Sequence, residues 1–249
     1  MIRTFAANLV TTISLDRPEK RNALTPLGLA GLERAIRAVV VDARAGRTHA
    51  LLLTGEGDTF CAGFDLTLCK DDDSVLEKLL RLLSSCVRAL REVPCPVVAS
   101  AHGAAIAGGC ALLGGCDVVV THGAARLGYP VVPLGISPAV SGPTLASLVG
   151  PGHARALLMG ARVISGEEAL RVGLAHECAD SVDACRSRAA TLAADLSAKP
   201  PHALAATKRW LLELDAATPG RVDEALAASL SIVNSPEQHA LLPAVWTRS

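Results

Sequence analysis

Neither sign of charge is in excess along this chain: 24 lysines and arginines face 24 aspartates and glutamates. That balance removes the long-range pull toward nucleic acid or an anionic membrane surface and leaves a small molecule as the expected partner. Close-spaced cysteine pairs are missing as well. The eight cysteines, at 61, 69, 86, 95, 110, 116, 178 and 185, stand singly among apolar residues, without the spacing of a zinc site or a disulfide framework. Reduced thiols, no metal and a cytoplasmic setting are expected. No apolar run approaches a membrane span, and the opening "MIRTFAANLVTTISLDRP" has no apolar core of signal-peptide length. No membrane partner is expected. The chain also lacks a G-K-[ST] after a glycine loop and a G-x-G-x-x-G after a first strand, so nucleoside triphosphate and dinucleotide binding find no support.

What is present is a chain of 249 residues, half of them apolar, enough to bury a core in one domain with an appendage or in two small ones. Short apolar runs alternate with helical patterns, which predicts an α/β fold. "NLVTTISL" (8–15), "ALLLTG" (50–55), "PVVASAHG" (96–103) and "DVVVTHG" (117–123) read as strands. Thr25 followed by Pro26 marks a helix start, with Thr as the N-cap and Pro at the first helical position. Ser74 with Glu77, and Ser165 with Glu168, have the spacing of capping boxes. After Ser74, the residues Val75, Leu79, Leu82, Cys86, Leu90 and Val93 recur at helical spacing and should face inward. Gly173 offers a helix stop. From about 181 onward only helices are predicted, so residues 1–190 are read as the core and 191–249 as a helical subdomain, with a hinge near "AKPPH".

The stretch "HGAAIAGGCALLGGCD" (102–117) has five glycines and no acid or lysine between His102 and Asp117. It follows a strand and opens a helix near Gly108, so its free backbone N–H groups and the positive helix end converge on one spot suited to an anion. Glycine needed only for close helix packing is the competing reading. A second glycine turn, Ala62-Gly63-Phe64 in "TGEGDTFCAGFDL" (54–66), follows another strand. Two such turns facing each other would form an oxyanion hole, which stabilises charge on a carbonyl oxygen through backbone alone.

The blocks "SLDRPEKRNALT" (14–25), "GEGDTFCAGFDL" (55–66), "HGAAIAGGCALLGGCDVVV" (102–120), "ARLGYP" (125–130) and "ISGEEALRVGLAHE" (164–177) resemble, in order, those of the crotonase superfamily of enoyl-CoA hydratases and isomerases. The resemblance implies a spiral of β-β-α units followed by a helical trimerisation subdomain, hence a homotrimer or a dimer of trimers. It implies an acyl-CoA thioester as substrate, with no separate cofactor. Phe64 and Gly108 would supply the oxyanion amides; Lys20, Arg21, Ala23, Leu24, Ala62, Asp65 and Leu66 would lie along the CoA path. Ala107 replaces the first glycine of the usual triplet.

Two departures bear on the chemistry. Hydratases of that superfamily carry one glutamate three residues after the oxyanion glycine and another after the proline of the "F-G-x-P-E" block; here these places hold Ala111 and Val131. Neither exchanges a proton at neutral pH. Nearby, Tyr129 is the sole tyrosine and a candidate hydrogen-bonding group at the site, or else a packed aromatic whose hydroxyl is satisfied. Ser137 and Ser141 read as turn or cap residues, His102 as a structural histidine and Cys110 as a buried thiol. Two functions stay open: an enzyme that works through the oxyanion hole with little acid–base help, such as a decarboxylase, a thioester hydrolase or a weak hydratase, and a catalytically silent acyl-CoA-binding partner.

Overall fold

A computed structural model describes residues 1–215 and 217–246. The large sheet is built on the expected apolar runs: β2 (Val10–Leu15), β3 (Ala50–Gly55), β4 (Val97–Ser100) and β6 (Val118–His122) pair in parallel in that order. The sheet is extended at one edge by antiparallel β1 (Ile2–Ala7) and at the other by parallel β9 (Glu177–Ala179). Both edge strands lack a burial alternation in sequence. In β1 five of six residues are exposed, Phe5 among them, so no hydrophobic period marks it as a strand.

Register sets the two faces. Ile13, Leu53, Ala99 and Val119 align across the strands and enter the main core, while Leu52, Val98 and Val120 point to the opposite side. There they meet Cys185, Ala189 and Ala193 of α6 (Val182–Ser197), whose small side chains let the helix lie close on the sheet. The main core is filled from α1 (Pro26–Arg44) and α2 (Ser74–Glu92). Thr25 caps α1 as expected, accepting from Gly28 N at 3.0 Å. Ser74 does not cap α2. It is the first helical residue, and the Asp72 carboxylate accepts its N–H instead, because Asp72 lies one turn-residue further out where its side chain reaches back. The buried stripe of α2 is also wider than expected: Leu76, Leu80, Leu83 and Val87 join Val75, Leu79, Cys86 and Leu90, whereas Leu82 is only half-buried.

A second sheet of three short strands, β5 (Ala104–Ile106), β7 (Arg126–Gly128) and β8 (Val163–Ser165), packs beside the first. Each of β4 and β6 thus runs on, through a corner, into a strand of the small sheet. At the β4–β5 corner Gly103 has φ +64°, and a Cβ there would stand 1.9 Å from Asp58 O. Only glycine fits. Helices α3 (Gly108–Leu113), α4 (Gly142–Met159) and α5 (Gly166–Val172) follow these strands. Ser165 caps α5 by accepting from Glu168 N at 3.1 Å, and Gly173 ends it at φ +84°, both as predicted.

Beyond α6, all the described elements are helical: α7 (Pro201–Leu214), α8 (Pro219–Leu230), α9 (Pro236–Leu241) and a 3-10 turn at Leu242–Val245. They do not stand apart from the core. Lys208 of α7 is nearly buried and donates to Asp117 Oδ2 at 2.7 Å and to Cys95 O at 3.1 Å. Ser229 of α8 accepts from Val140 N at 2.8 Å and donates to Ser137 O at 3.0 Å. Leu226 and Leu230 pack onto the core of the same chain, which covers part of the apolar tail face; Trp210, Leu211 and Leu214 of α7 remain largely exposed.

Candidate active site

Two turns meet at one wall. The first, Cys61–Phe64, is pinned to β5 by Cys61 N donating to Ala104 O at 2.9 Å and Ile106 N donating to Cys61 O at 3.0 Å. Leu24 then brackets Phe64, donating to Gly63 O at 2.7 Å and accepting from Asp65 N at 2.8 Å. The second turn is the corner from β5 into α3, where Ala107 N donates to Gly128 O at 2.7 Å. Among the described residues, neither Phe64 N–H nor Gly108 N–H has a hydrogen-bond partner. The two positions touch: a Cβ on Gly108 would lie 2.9 Å from Phe64 Cε1 and 3.2 Å from Leu24 Cδ1. Glycine at 108 leaves room for the Phe64 ring against the start of α3.

Both residues open onto a cavity of about 190 Å³. Its wall draws on Leu80 and Leu83 of α2, Val131 and Leu134 after β7, and Val245 near the C-terminal end. Trp246 Nε1 donates to Leu66 O at 3.0 Å, which fastens the 3-10 turn beside the cavity. Polar side chains are few: Ser137, Ser141 and Tyr129. Among the described residues the lining holds no carboxylate, histidine, lysine or arginine. Tyr129 is buried, and that burial, with the Cys110 thiol as a smaller contributor, pushes its phenol well above the ordinary tyrosine range. It remains a neutral phenol at physiological pH, a donor rather than a base. Burial likewise pushes the Cys110 and Cys61 thiols up to about 12, so both stay protonated and unreactive.

The sequence profile of enoyl-CoA hydratase/isomerase matches residues 6–240. The chain belongs to the enoyl-CoA hydratase/isomerase family. It is 34% identical over 212 residues to a probable enoyl-CoA hydratase of Mycobacterium tuberculosis, covering 85% of this chain and 82% of that protein. It is 34% identical over 171 residues to a crotonyl-CoA hydratase of Syntrophomonas wolfei, covering 68% and 65%. In three dimensions it matches an enoyl-CoA hydratase/isomerase from Mycobacterium paratuberculosis with a TM-score of 0.88 at 27% identity, over 98% and 97% of the two chains. The mixed α/β architecture is therefore the crotonase-like one that the sequence blocks resemble.

Within this family member the positions singled out from sequence divide into two groups. Phe64, Gly108, Tyr129, Ala62 and Leu66 line the cavity. Lys20 and Arg21 lie exposed on the turn after β2, Ala23 is half-buried, and Leu24 is buried beneath Phe64. Asp65 sits next to the cavity turn rather than in the lining. Its burial opposes ionisation, but hydrogen bonds from Thr67 and from Arg17, at 2.7 Å, hold its carboxyl below the usual aspartate range. Of the two glutamate positions, Val131 is on the cavity wall and Ala111 is buried inside α3, outside the lining. His102 is fully buried, with Nδ1 3.1 Å from Ser100 O, and burial lowers its pKa to about 4. It does not line the cavity. Sequence reasoning missed Leu80, Leu83 and Val245; the first two lie on the part of the α2 stripe that the expected period left out, and nothing local ties Val245 to a site 180 residues away.

Proposed function

We propose that this chain binds an acyl-CoA thioester with its acyl group in the apolar cavity and its carbonyl oxygen between the Phe64 and Gly108 amides. The observation that carries the reading is the pair of unpartnered N–H groups on two touching turns that line an uncharged cavity. Such donors, fixed before substrate arrives, favour the enolate over the neutral ester without reorganisation. Lys20, Arg21, Ala23, Leu24, Ala62, Asp65 and Leu66 take the CoA moiety, with the two cations serving its phosphates. Tyr129 supports the site as a neutral donor. With Ala and Val at 111 and 131, no carboxylate is at hand to activate water, and general acid–base help worth roughly 10²- to 10⁴-fold per group is missing. The protein is then a slow hydratase at best. The same bare lining favours a second reading, a silent acyl-CoA-binding partner, which shares the binding geometry and differs only in turnover.

One experiment addresses both. Crotonyl-CoA labelled at the carbonyl carbon is bound to the protein and its carbonyl stretch is followed by difference infrared spectroscopy, with hydration assayed in parallel. A downward shift of the stretch is expected, because two donors weaken the C=O bond. An unshifted carbonyl in a bound ester would sink the oxyanion reading. Hydration at the rate of an ordinary hydratase would sink the claim of a missing acid–base pair, and a shifted stretch with no turnover of any thioester would select the silent binder. The exposed Trp210, Leu211 and Leu214 on α7 support assembly into a homotrimer or dimer of trimers; a monomer mass by light scattering at micromolar concentration would refute it.

A further inference from the structure

The corner between β5 and α3 holds a residue in a conformation that side chains avoid. Ala107 has φ 48° and ψ −109°, the dihedrals of the first central residue of a type II′ turn, where glycine is the usual occupant. It has no freedom to relax. Its N–H donates to Gly128 O at 2.7 Å, and its carbonyl accepts from Ala111 N at 2.8 Å. Glycine would take the same turn without strain, so the methyl persists against a standing penalty, and penalties of that kind gather where a site uses them.

The methyl has a defined place. Ala107 is half-buried and lines the cavity on the wall that carries the Gly108 amide. On its other side is Gly63, where a Cβ would stand 3.4 Å from Ala107 Cβ and 2.9 Å from Ile106 O. An alanine has no rotamer with which to turn its methyl away. Three covalent bonds separate that methyl from Gly108 N. A carbonyl oxygen held about 2.9 Å from this nitrogen, with the acyl chain directed into the cavity, would set the carbon next to the carbonyl on the side of the methyl.

We infer that the Ala107 methyl is a specificity-determining group: it excludes a substituent on the carbon next to the thioester carbonyl, so the site takes acyl thioesters unbranched at that carbon. The inference rests on the acyl-thioester reading above. One extra methyl in an apolar pocket changes discrimination by roughly 10- to 200-fold when the wall cannot move.

The test compares butanoyl-CoA with 2-methylbutanoyl-CoA as ligands of the full chain and of Ala107→Gly, by calorimetric titration, with thermal melts of both proteins. The wild type is expected to prefer the straight ester by roughly tenfold or more, and Ala107→Gly to cut that preference to about threefold or less through a gain for the branched ester. The variant should melt at or above the wild-type temperature, since the strained turn is relieved. A preference unchanged in Ala107→Gly, or absent from the wild type, overturns this inference and leaves the acyl-thioester reading standing. Failure of the wild type to bind butanoyl-CoA overturns both. A variant that melts lower overturns the claim that the methyl is held under strain.

Discussion

Replacing Gly109 by alanine tests whether the two turns are as tightly locked as the geometry requires. A Cβ at 109 would stand 2.6 Å from Cys61 O, 2.7 Å from Cys61 Cβ and 2.9 Å from Cys61 Sγ. Carbon and oxygen ordinarily come no closer than about 3.3 Å, so the overlap with the carbonyl is about 0.7 Å. That carbonyl is not free to move. It accepts from Ile106 N at 3.0 Å, while Cys61 N donates to Ala104 O at 2.9 Å, and both bonds tie the Phe64 turn to β5. Relief therefore comes from prising α3 off the turn, an overpacking cost of about 1 to 3 kcal/mol. The better helix propensity of alanine returns about 1 kcal/mol at most. A net loss of about 1 kcal/mol is expected in urea unfolding, together with weaker acyl-CoA binding because Gly108 N and Phe64 N move apart. Gly152, in α4, has nothing within 4 Å of its would-be Cβ. Gly152→Ala is the matched control and should be neutral or stabilising by up to about 1 kcal/mol. If Gly109→Ala proves as stable as the wild type and binds ligand equally well, the close apposition of the two turns is wrong.

Other outcomes follow from single contacts. Asp117→Ala removes the carboxylate that accepts from Lys208 Nζ and Val97 N, each at 2.7 Å, and leaves a nearly buried ammonium with Cys95 O alone; because Asp117 itself faces solvent, the expected loss is about 2 kcal/mol, and a loss below about 0.5 kcal/mol in chemical denaturation would contradict it. His102 titrates near 4 in the folded chain and about 6.5 unfolded, so below pH 6.5 the unfolded chain takes up a proton that the folded one refuses. Stability should accordingly fall on acidification from about 6.5 toward 4, by up to about 1.4 kcal/mol per pH unit from this group, and His102→Gln should flatten that slope; an identical pH profile for the variant would refute the assignment. Val131→Glu combined with Ala111→Glu should raise crotonyl-CoA hydration above the wild-type level, with a stability loss traced mainly to the buried 111 position; a well-folded double variant without any gain would show that the cavity differs from a hydratase at more than these two places.

Local chemistry in the sequence determined much of this protein. Thr25 and Ser165 cap helices because a hydroxyl reaches the third amide on whatever the helix later packs against, and Gly173 ends a helix because its φ of +84° suits few other residues. β3 and β4 were legible because both of their faces are buried, which makes them largely apolar runs, and β2 and β6 because β-branched residues dominate them. Edge strands β1 and β9, and the short strands of the small sheet, were not, since they are defined by neighbours that supply hydrogen bonds and not by any period of their own. For the site, the two glycine turns could be named from their residues, but an amide has no letter in the sequence. Whether Phe64 N and Gly108 N are left unpartnered, and whether they share a wall, depends on how Leu24, β5 and β7 consume the amides around them. The strain at Ala107, the sealing of the cavity by Val245 and the exclusion of His102 from it are likewise decisions of packing, made between segments tens to nearly two hundred residues apart.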